Sequence, residues 1–243
     1  MLTLGIDTST AVCAVGLRDK DGFLGEMNVR LGRRHSERLL PVIAKLFSEL
    51  EYRIEDVKGL AVTTGPGSFT GLRIGLSTVK AFARALGIPV YAVPTLDLLA
   101  YSIYSVQGII VPVLDARRGR VYNALYRGGK RDVDGSRLCA DRALPAEELL
   151  AELLREYPGE SYYLIGDGVE VCRQYLNENE AAFKLLLSAH SRPSGALLAG
   201  LGAYYLQRDG GMSPEELTPR YLKKPQAEIN YRRRSDGEKQ DGT

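Results

Sequence analysis

The chain has 243 residues, of which 44% are hydrophobic, so it can form one large domain or two of about 100 to 150 residues each. Its 32 basic and 30 acidic side chains give a formal net charge of +2, which is too balanced for tight sequence-independent binding of nucleic acid. The three cysteines lack the paired spacing of a zinc site, and no apolar run of about 18 residues predicts a membrane span. We therefore expect a cytoplasmic protein with no membrane contact, whose role with any nucleic acid is indirect.

The first part of the chain alternates between strand-like and helix-like patterns. Three strands separated by polar turns are predicted in "LTLGIDTSTAVCAVGLRDKDGFLGEMNVR", and a helix follows in "HSERLLPVIAKLFSEL". The segments "GLAVTT" and "IPVYAV" predict two more strands, each followed by a helix, in "TGLRIGLSTVKAFARAL" and "LDLLAYSIYS". The predicted order for residues 1–106 is therefore βββαβαβα.

A second hairpin repeats the first one. Asp115 ends a strand before a polar turn in "PVLDARRGRVYNAL", as Asp7 does in "LGIDTSTAVCAVGL". Strand and helix patterns then alternate again up to the helix "GALLAGLGAYYLQ". We infer an α/β protein of two duplicated βββαβαβα-type halves, residues 1–106 and 107–222, with the actin-like ATPase fold. Residues 223–243 are charged and nearly free of apolar side chains, so we expect a disordered tail.

The glycine-rich stretch "GPGSFTGLRIG" has the look of a phosphate-binding loop, but its spacing fits neither common type. A P-loop needs a second glycine followed by lysine, and no register that starts at Gly65, Gly67 or Gly71 provides them. A dinucleotide loop needs an acidic residue at the end of the next strand, which is also missing. We interpret the stretch as a tight turn in which Ser68 or Thr70 caps the following helix.

Two helices of the first half have an apolar arc that is wider than one packing surface requires. In the second of them, the polar residues Arg73, Ser77, Lys80 and Arg84 form one narrow strip. A helix that covers a sheet needs a single apolar stripe, so the rest of the arc indicates an oligomer or a partner protein, unless the other half of the chain covers it. The residues assigned to this interface are Leu39, Val42, Ile43, Leu46, Phe47, Gly71, Leu72, Gly75, Leu76 and Val79.

The two Asp-led turns are the candidate nucleotide site. In an actin-like ATPase such turns hold Mg²⁺ and phosphates, and small residues let backbone amides approach the anion. The second turn carries two arginines instead, which contact an anion or a partner's carboxylates, or are solvated charges. We interpret the set as a relic site at which residual binding of ATP or ADP stays open. Its residues are Asp7, Thr8, Ser9, Asp115, Arg117, Arg118, Gly166 and Gly168.

The sequence has no metal-binding or nucleophile pattern. Its two histidines are His35 and His190, and the residue four positions after His35 is Leu39, so no histidine pair can share a helix face. A peptidase would need such a pair or a catalytic triad. The alternative to a non-catalytic protein is an active actin-like ATPase or phosphotransferase that uses Asp7 and Asp115.

Five stretches of the chain together resemble the TsaB (YeaZ) family of bacteria, and they extend to about residue 222. They are "LGIDTST", "HSERLLPVI", "GPGSFTGLRIGLSTVKAFA", "PVLDARRGRVYNALY" and "PRYLK". The resemblance implies an actin-like fold and a non-catalytic paralogue of the catalytic subunit TsaD. Such a subunit supports threonylcarbamoyl transfer to N6 of adenosine 37 of tRNAs.

The resemblance also implies the partners and the absence of a cofactor. A member of this family binds TsaD through the two apolar helices, forms a homodimer in isolation, and joins the ATPase TsaE in a larger complex that contacts the tRNA. TsaD has a pair of metal-binding histidines, and this chain has His35 at the first position but Leu39 at the second, so no metal is expected. One departure is Arg120, because the family usually has an acidic residue at this position.

Overall fold

The structure is a computed structural model that describes residues 1–31, 35–130, 133–176, 181–186 and 191–222. At residues 35 and 133–134 the description is limited to the backbone. The predicted disordered tail at 223–243 lies outside the described residues. Among the helices that are described, none is long and apolar enough to cross a membrane.

Within the described residues, the first half forms a five-stranded sheet and three helices. Its strands are β1 (Thr3–Asp7), β2 (Val12–Arg18), β3 (Phe23–Arg30), β4 (Gly59–Gly65) and β5 (Val90–Pro94). Its helices are α1 (His35–Glu49), α2 (Phe69–Leu86) and α3 (Thr95–Ser102), and a 3₁₀ turn covers Ile54–Asp56. The strand order is β3-β2-β1-β4-β5, with β1 to β3 antiparallel and β4 and β5 parallel to β1. The predicted order βββαβαβα is confirmed.

The second half repeats this arrangement in the part of it that is described. Its strands are β6 (Ile109–Asp115), β7 (Arg120–Asn123), β8 (Tyr126–Arg127), β9 (Arg142–Pro145), β10 (Tyr162–Ile165) and β11 (Phe183–Leu186). Its helices are α4 (Val133–Ser136), α5 (Ala146–Glu156), α6 (Val169–Arg173) and α7 (Gly195–Asp209). The strand order is β11-β10-β6-β7-β9, again with an antiparallel set followed by two parallel strands. The equivalent orders confirm the duplication.

Helix α2 begins and ends where its sequence predicts. The Ser68 side chain accepts a hydrogen bond from the Gly71 nitrogen at 3.2 Å, which satisfies one of the free amides of the first turn. Gly87 ends the helix in the left-handed conformation at φ 64°, which glycine adopts without the strain of a side chain. Of the two predicted caps, Ser68 is therefore the one that the structure uses.

Helix α7 belongs to the second half in sequence but packs on the first sheet. It crosses β1, β2 and β4 on the face opposite α1 and α2, so β1 and β4 are buried along their whole length. Glycines permit the contact: a Cβ at Gly16 would lie 2.2 Å from the Ala196 nitrogen, and one at Gly5 would lie 2.4 Å from the Gly195 oxygen. The expected second unit of residues 107–222 is thus not one packing unit.

The residues after α7 also return to the first half, as a segment of residues 211–222 that we call the strap. Met212 pairs with Val90 of β5, and Leu217 is 1% exposed within the core of the first half. Near its end, the Arg220 nitrogen donates a hydrogen bond to the Thr64 oxygen at 2.7 Å. The strap therefore connects the end of the described chain to the glycine-rich loop before α2.

Candidate functional site

Asp7 lies at the end of β1, where its carboxylate is 0% exposed. Its Oδ1 accepts hydrogen bonds from the Ser9 hydroxyl at 2.6 Å, from the Thr63 hydroxyl at 2.5 Å and from the Ser9 nitrogen at 3.3 Å. Its Oδ2 is buried and has no hydrogen-bond partner among the described residues. Burial raises the Asp7 pKa to about 6 although the bonds from Ser9 and Thr63 lower it, and nearby Asp167 raises it further.

The glycines of the "GPGSFTGLRIG" stretch pack directly on the turn that follows Asp7. A Cβ would lie 2.3 Å from the Ser9 oxygen if placed at Gly67, and 2.0 Å from the Thr8 oxygen if placed at Gly71. The Thr8 hydroxyl donates a hydrogen bond to the Gly71 oxygen at 2.7 Å. Thr8 and Ser9 are consequently 1% and 2% exposed, and the first turn offers a phosphate no surface.

The second turn is held by a different set of contacts. Asp115 accepts hydrogen bonds from the Arg117 backbone nitrogen at 2.7 Å and from its guanidinium at 2.9 Å. Arg117 and Arg118 both have positive φ, at 68° and 58°, and Gly119 continues the left-handed run at 68°. The Asp115 carboxylate is thus paired within its own turn, and Arg118 is exposed.

Gly166 and Gly168, the last two residues of the candidate nucleotide site, do not form an open turn. A Cβ at Gly166 would lie 2.1 Å from the Val113 oxygen, so both glycines let this turn pack against the end of β6. Between them, Asp167 accepts a hydrogen bond from the Asp115 nitrogen at 2.9 Å. The structure thus brings Asp7, Asp115 and Asp167 together, but the closed first turn and the paired Asp115 do not fit a Mg²⁺–nucleotide in this arrangement.

Thr63 and Asp167, which contact Asp7 and Asp115, are not among the residues predicted from the sequence. Thr63 lies in β4 and Asp167 follows β10, the strands that pair with β1 and β6, in "TTGPG" and "LIGDG". An alignment of β4 with β10, in addition to the alignment of the two hairpins, would identify both residues from the sequence. Arg120, the departure from the family pattern, donates a hydrogen bond to the Ala143 oxygen of β9 at 2.5 Å.

The assignment of ten apolar residues to an outward-facing interface is wrong, because all ten are buried within the chain. On α1, Leu39 is 1% exposed and Leu46 is 3% exposed, and on α2 Leu72 is 1% exposed. Gly75 lies against the Thr8 hydroxyl, at 2.3 Å from a hypothetical Cβ. The first sheet and the turn after Asp7 cover this part of the apolar arc on α1 and α2. The full set is Leu39, Val42, Ile43, Leu46, Phe47, Gly71, Leu72, Gly75, Leu76 and Val79.

Apolar residues beside this buried set remain uncovered. Leu40 of α1 is 55% exposed and Ala44, one turn later, is exposed as well. On α2, Ala81 and Ala85 are exposed and Ile74 is half-buried on the same side of the helix. We call these five residues the apolar margin. The wide arcs predicted from the sequence therefore exist, but the sheet covers only part of each.

In the described parts of the chain, no group of three or more His, Cys, Asp or Glu side chains is placed to hold a metal ion. His190 lies outside the described residues, and His35 is described in its backbone alone. Leu39 is buried in the core, where it packs with the other apolar residues of α1.

A solved structure with a similar fold is the activator of 2-hydroxyisocaproyl-CoA dehydratase from Clostridium difficile with bound ADPNP. The match covers 91% of this chain and 100% of that chain, at a TM-score of 0.52 and 11% identity. A likeness at this identity shows the fold alone. Together with the two equivalent sheets, this match assigns the chain to the actin-like ATPase fold class. In this chain, α2 closes the first Asp-led turn.

The family of the chain is shown by a family model and by relatives of higher sequence identity. The model of the family described as "TsaD: tRNA N6-adenosine threonylcarbamoyltransferase" matches residues 29–231. The tRNA threonylcarbamoyladenosine biosynthesis protein TsaB of Escherichia coli K12 is 32% identical over 69% of this chain and 72% of that protein. TsaB of Bacillus subtilis is 38% identical, over 52% of this chain and 56% of that protein, so this match spans about half of each.

A comparison with solved structures gives the same family. YeaZ from Pseudomonas aeruginosa has a TM-score of 0.75 and 28% identity, and the match covers 91% of this chain and 99% of that chain. The chain therefore belongs to the TsaB (YeaZ) family, within the broader family that the TsaD model describes.

Proposed function

We propose that this protein is a non-catalytic subunit in tRNA threonylcarbamoyladenosine biosynthesis, which binds the TsaD catalytic subunit and supports threonylcarbamoyl transfer to N6 of adenosine 37. Family membership supports the pathway. The observation that carries the non-catalytic role is the closed first turn, where α2 packs on Thr8 and Ser9 and leaves Asp7 0% exposed. An actin-like ATPase needs this turn open to phosphate.

The apolar margin is the surface on which the partner docks. It lies on α1 and α2, which pack against each other, and Leu40 alone is 55% exposed. Large apolar side chains that are exposed beside a well-packed core are typical of protein interfaces. In isolation two copies use the same margin to form a homodimer, and in the cytoplasm the TsaE ATPase and the tRNA join the complex with TsaD.

The test of docking is the substitution Leu40→Glu, with Ser48→Glu as the matched control on an exposed polar position of the same helix. We expect Leu40→Glu to weaken TsaD binding by at least about tenfold in calorimetry, because a charge in an apolar contact is desolvated without a partner. Both variants should keep the wild-type circular dichroism spectrum. TsaD binding by Leu40→Glu that equals binding by the wild type would show that the margin is not the docking surface.

The homodimer gives an independent test of the shared margin. Light scattering on a size-exclusion column should show that added TsaD converts the homodimer into a mixed complex, because both compete for one surface. A complex that retains the intact homodimer on the margin would contradict this competition.

The alternative function is an active ATPase or phosphotransferase, which the persistence of Asp7 and Asp115 favours. Calorimetry with ATP and Mg²⁺ separates the two proposals. Micromolar binding by the isolated protein, together with phosphate release that Asp115→Ala abolishes, would overturn the non-catalytic assignment. We expect neither in the isolated chain, because Asp115 is already paired with Arg117.

A further inference from the structure

At the start of α2, two side chains of the helix stack with a tyrosine from a distant part of the sequence. The rings of Phe69 and Tyr221 lie 4.7 Å apart between centroids, and the Arg73 guanidinium lies 4.0 Å over the Phe69 ring. The Arg73 Nε donates a hydrogen bond to the Tyr221 hydroxyl at 3.1 Å. The strap thus holds Arg73 in one orientation on the outside of the molecule.

The free end of Arg73 is available to a ligand. Its side chain is exposed, and its one hydrogen bond to a described residue is the bond from Nε, so neither terminal nitrogen has an acceptor in the part of the chain that the structure describes. Tyr221 and Leu222 beside it are each 38% exposed. A guanidinium that is held against aromatic rings loses little side-chain entropy when it binds, and arginine and tyrosine are enriched at the centres of interfaces.

The charge pattern around Arg73 favours a single carboxylate over a nucleic-acid backbone. Arg84, further along the same polar strip, pairs with Glu215 at 3.0 Å, and Arg220 lies 3.9 Å from Asp141. Each of these two cations therefore has an acidic neighbour within the chain. Binding to RNA phosphates requires several free cations in a row, whereas a guanidinium held beside apolar rings matches one carboxylate.

We propose that Arg73, held by Phe69 and Tyr221, binds an aspartate or glutamate of the TsaD subunit and that the strap is thereby part of the docking surface. This inference rests on the proposed function, because it needs TsaD as the partner. It adds a polar contact to the apolar margin and assigns a role to the late "PRYLK" stretch.

The experiment measures TsaD affinity by calorimetry for the full-length wild type and for Arg73→Ala, Arg73→Lys and Tyr221→Phe. Arg73→Ala should weaken binding by about tenfold or more, since a lost bond to a charged group has a cost of this order. Arg73→Lys should lose most of this as well, because an ammonium lacks the planar fork. Tyr221→Phe keeps the ring stack and removes only the acceptor of Nε, so an intermediate loss is expected.

Arg84→Ala is the matched control, because it removes the same charge from the same helix where Glu215 already pairs with it. It should leave the TsaD affinity within about twofold. Alanine substitution of the acidic residues of TsaD should identify one whose effect is non-additive with Arg73→Ala in a double-mutant cycle.

The outcomes separate the two proposals. If the wild type does not bind TsaD, the proposed function itself fails. If the wild type binds and Arg73→Ala binds equally well, the carboxylate contact is wrong while the proposed function stands. If Arg73→Ala loses affinity for purified tRNA but not for TsaD, the site is an RNA contact and the inference is overturned.

Discussion

The buried Asp7 carboxylate makes the stability of this protein depend on pH in a direction opposite to that of a salt-bridged acid. Burial raises its pKa from 3.8 to about 6 in the folded chain. Between these two values the unfolded chain releases its proton first, so the free energy of unfolding falls as pH rises. The shift of roughly two units corresponds to about 3 kcal/mol, present below pH 4 and lost once the pH exceeds about 6.

Asp7→Asn removes this titration while it retains an oxygen that accepts from Ser9 and Thr63. The assay is urea unfolding from pH 4 to pH 7.5, with the free energy of the variant compared with that of the wild type at each pH. The difference should move in favour of the variant by about 3 kcal/mol across this range. A difference that stays flat with pH would refute the raised Asp7 pKa and the burial that causes it.

Two threonines on the same strand provide an internal control. The Thr63 hydroxyl bonds the Asp7 carboxylate at 2.5 Å and lowers its pKa, so Thr63→Val should move the loss of stability to higher pH. The hydroxyl of Thr64 instead lies 3.5 Å from the Val93 oxygen. Thr64→Val should therefore leave the pH dependence of the wild type unchanged.

Three further predictions concern the packing and the cap of α2 and an ion network between Arg137, Asp97 and Asp141. Gly71→Ala places a Cβ 2.0 Å from the Thr8 oxygen and should destabilise the fold by about 1–3 kcal/mol in urea unfolding, with exposed Ser77→Ala as the neutral control; an effect equal to that of the control would contradict the closed turn. Arg137→Ala removes the guanidinium that pairs with both Asp97 and Asp141, whose side chains are only 13% and 9% exposed, so a loss of about 3 kcal/mol is expected; less than about 1 kcal/mol would rule out the ion network. Ser68→Ala removes the cap of α2 and should cost about 1 kcal/mol, which Ser68→Asp should restore.

The buried positions of the two apolar helices cannot be used to test docking. Leu46 is 3% exposed and Gly75 faces Thr8, so Leu46→Glu or Gly75→Arg would damage the fold and would not test docking. Leu40, which is 55% exposed, is the position at which a charge tests the surface without disturbing the core.

The sequence by itself determined the elements and their repetition. Apolar spacing predicted the βββαβαβα order, the paired Asp-led hairpins predicted the duplication, and a cap at Ser68 or Thr70 predicted the start of α2. The spacing of the glycines also excluded a P-loop. These features depend on residues that are close together in the chain, where period, cap and turn chemistry act directly.

Only the tertiary structure decided which surfaces are covered and which groups meet. A wide apolar arc looks the same in sequence whether a sheet, a loop or another protein covers it. The sequence therefore could not distinguish the ten buried residues assigned to the interface from the uncovered residues of the apolar margin. The Thr63 hydroxyl reaches Asp7 across 56 positions, and Tyr221 reaches Arg73 across 148. Such contacts depend on how the strands pair and where the chain returns, and no local pattern encodes them.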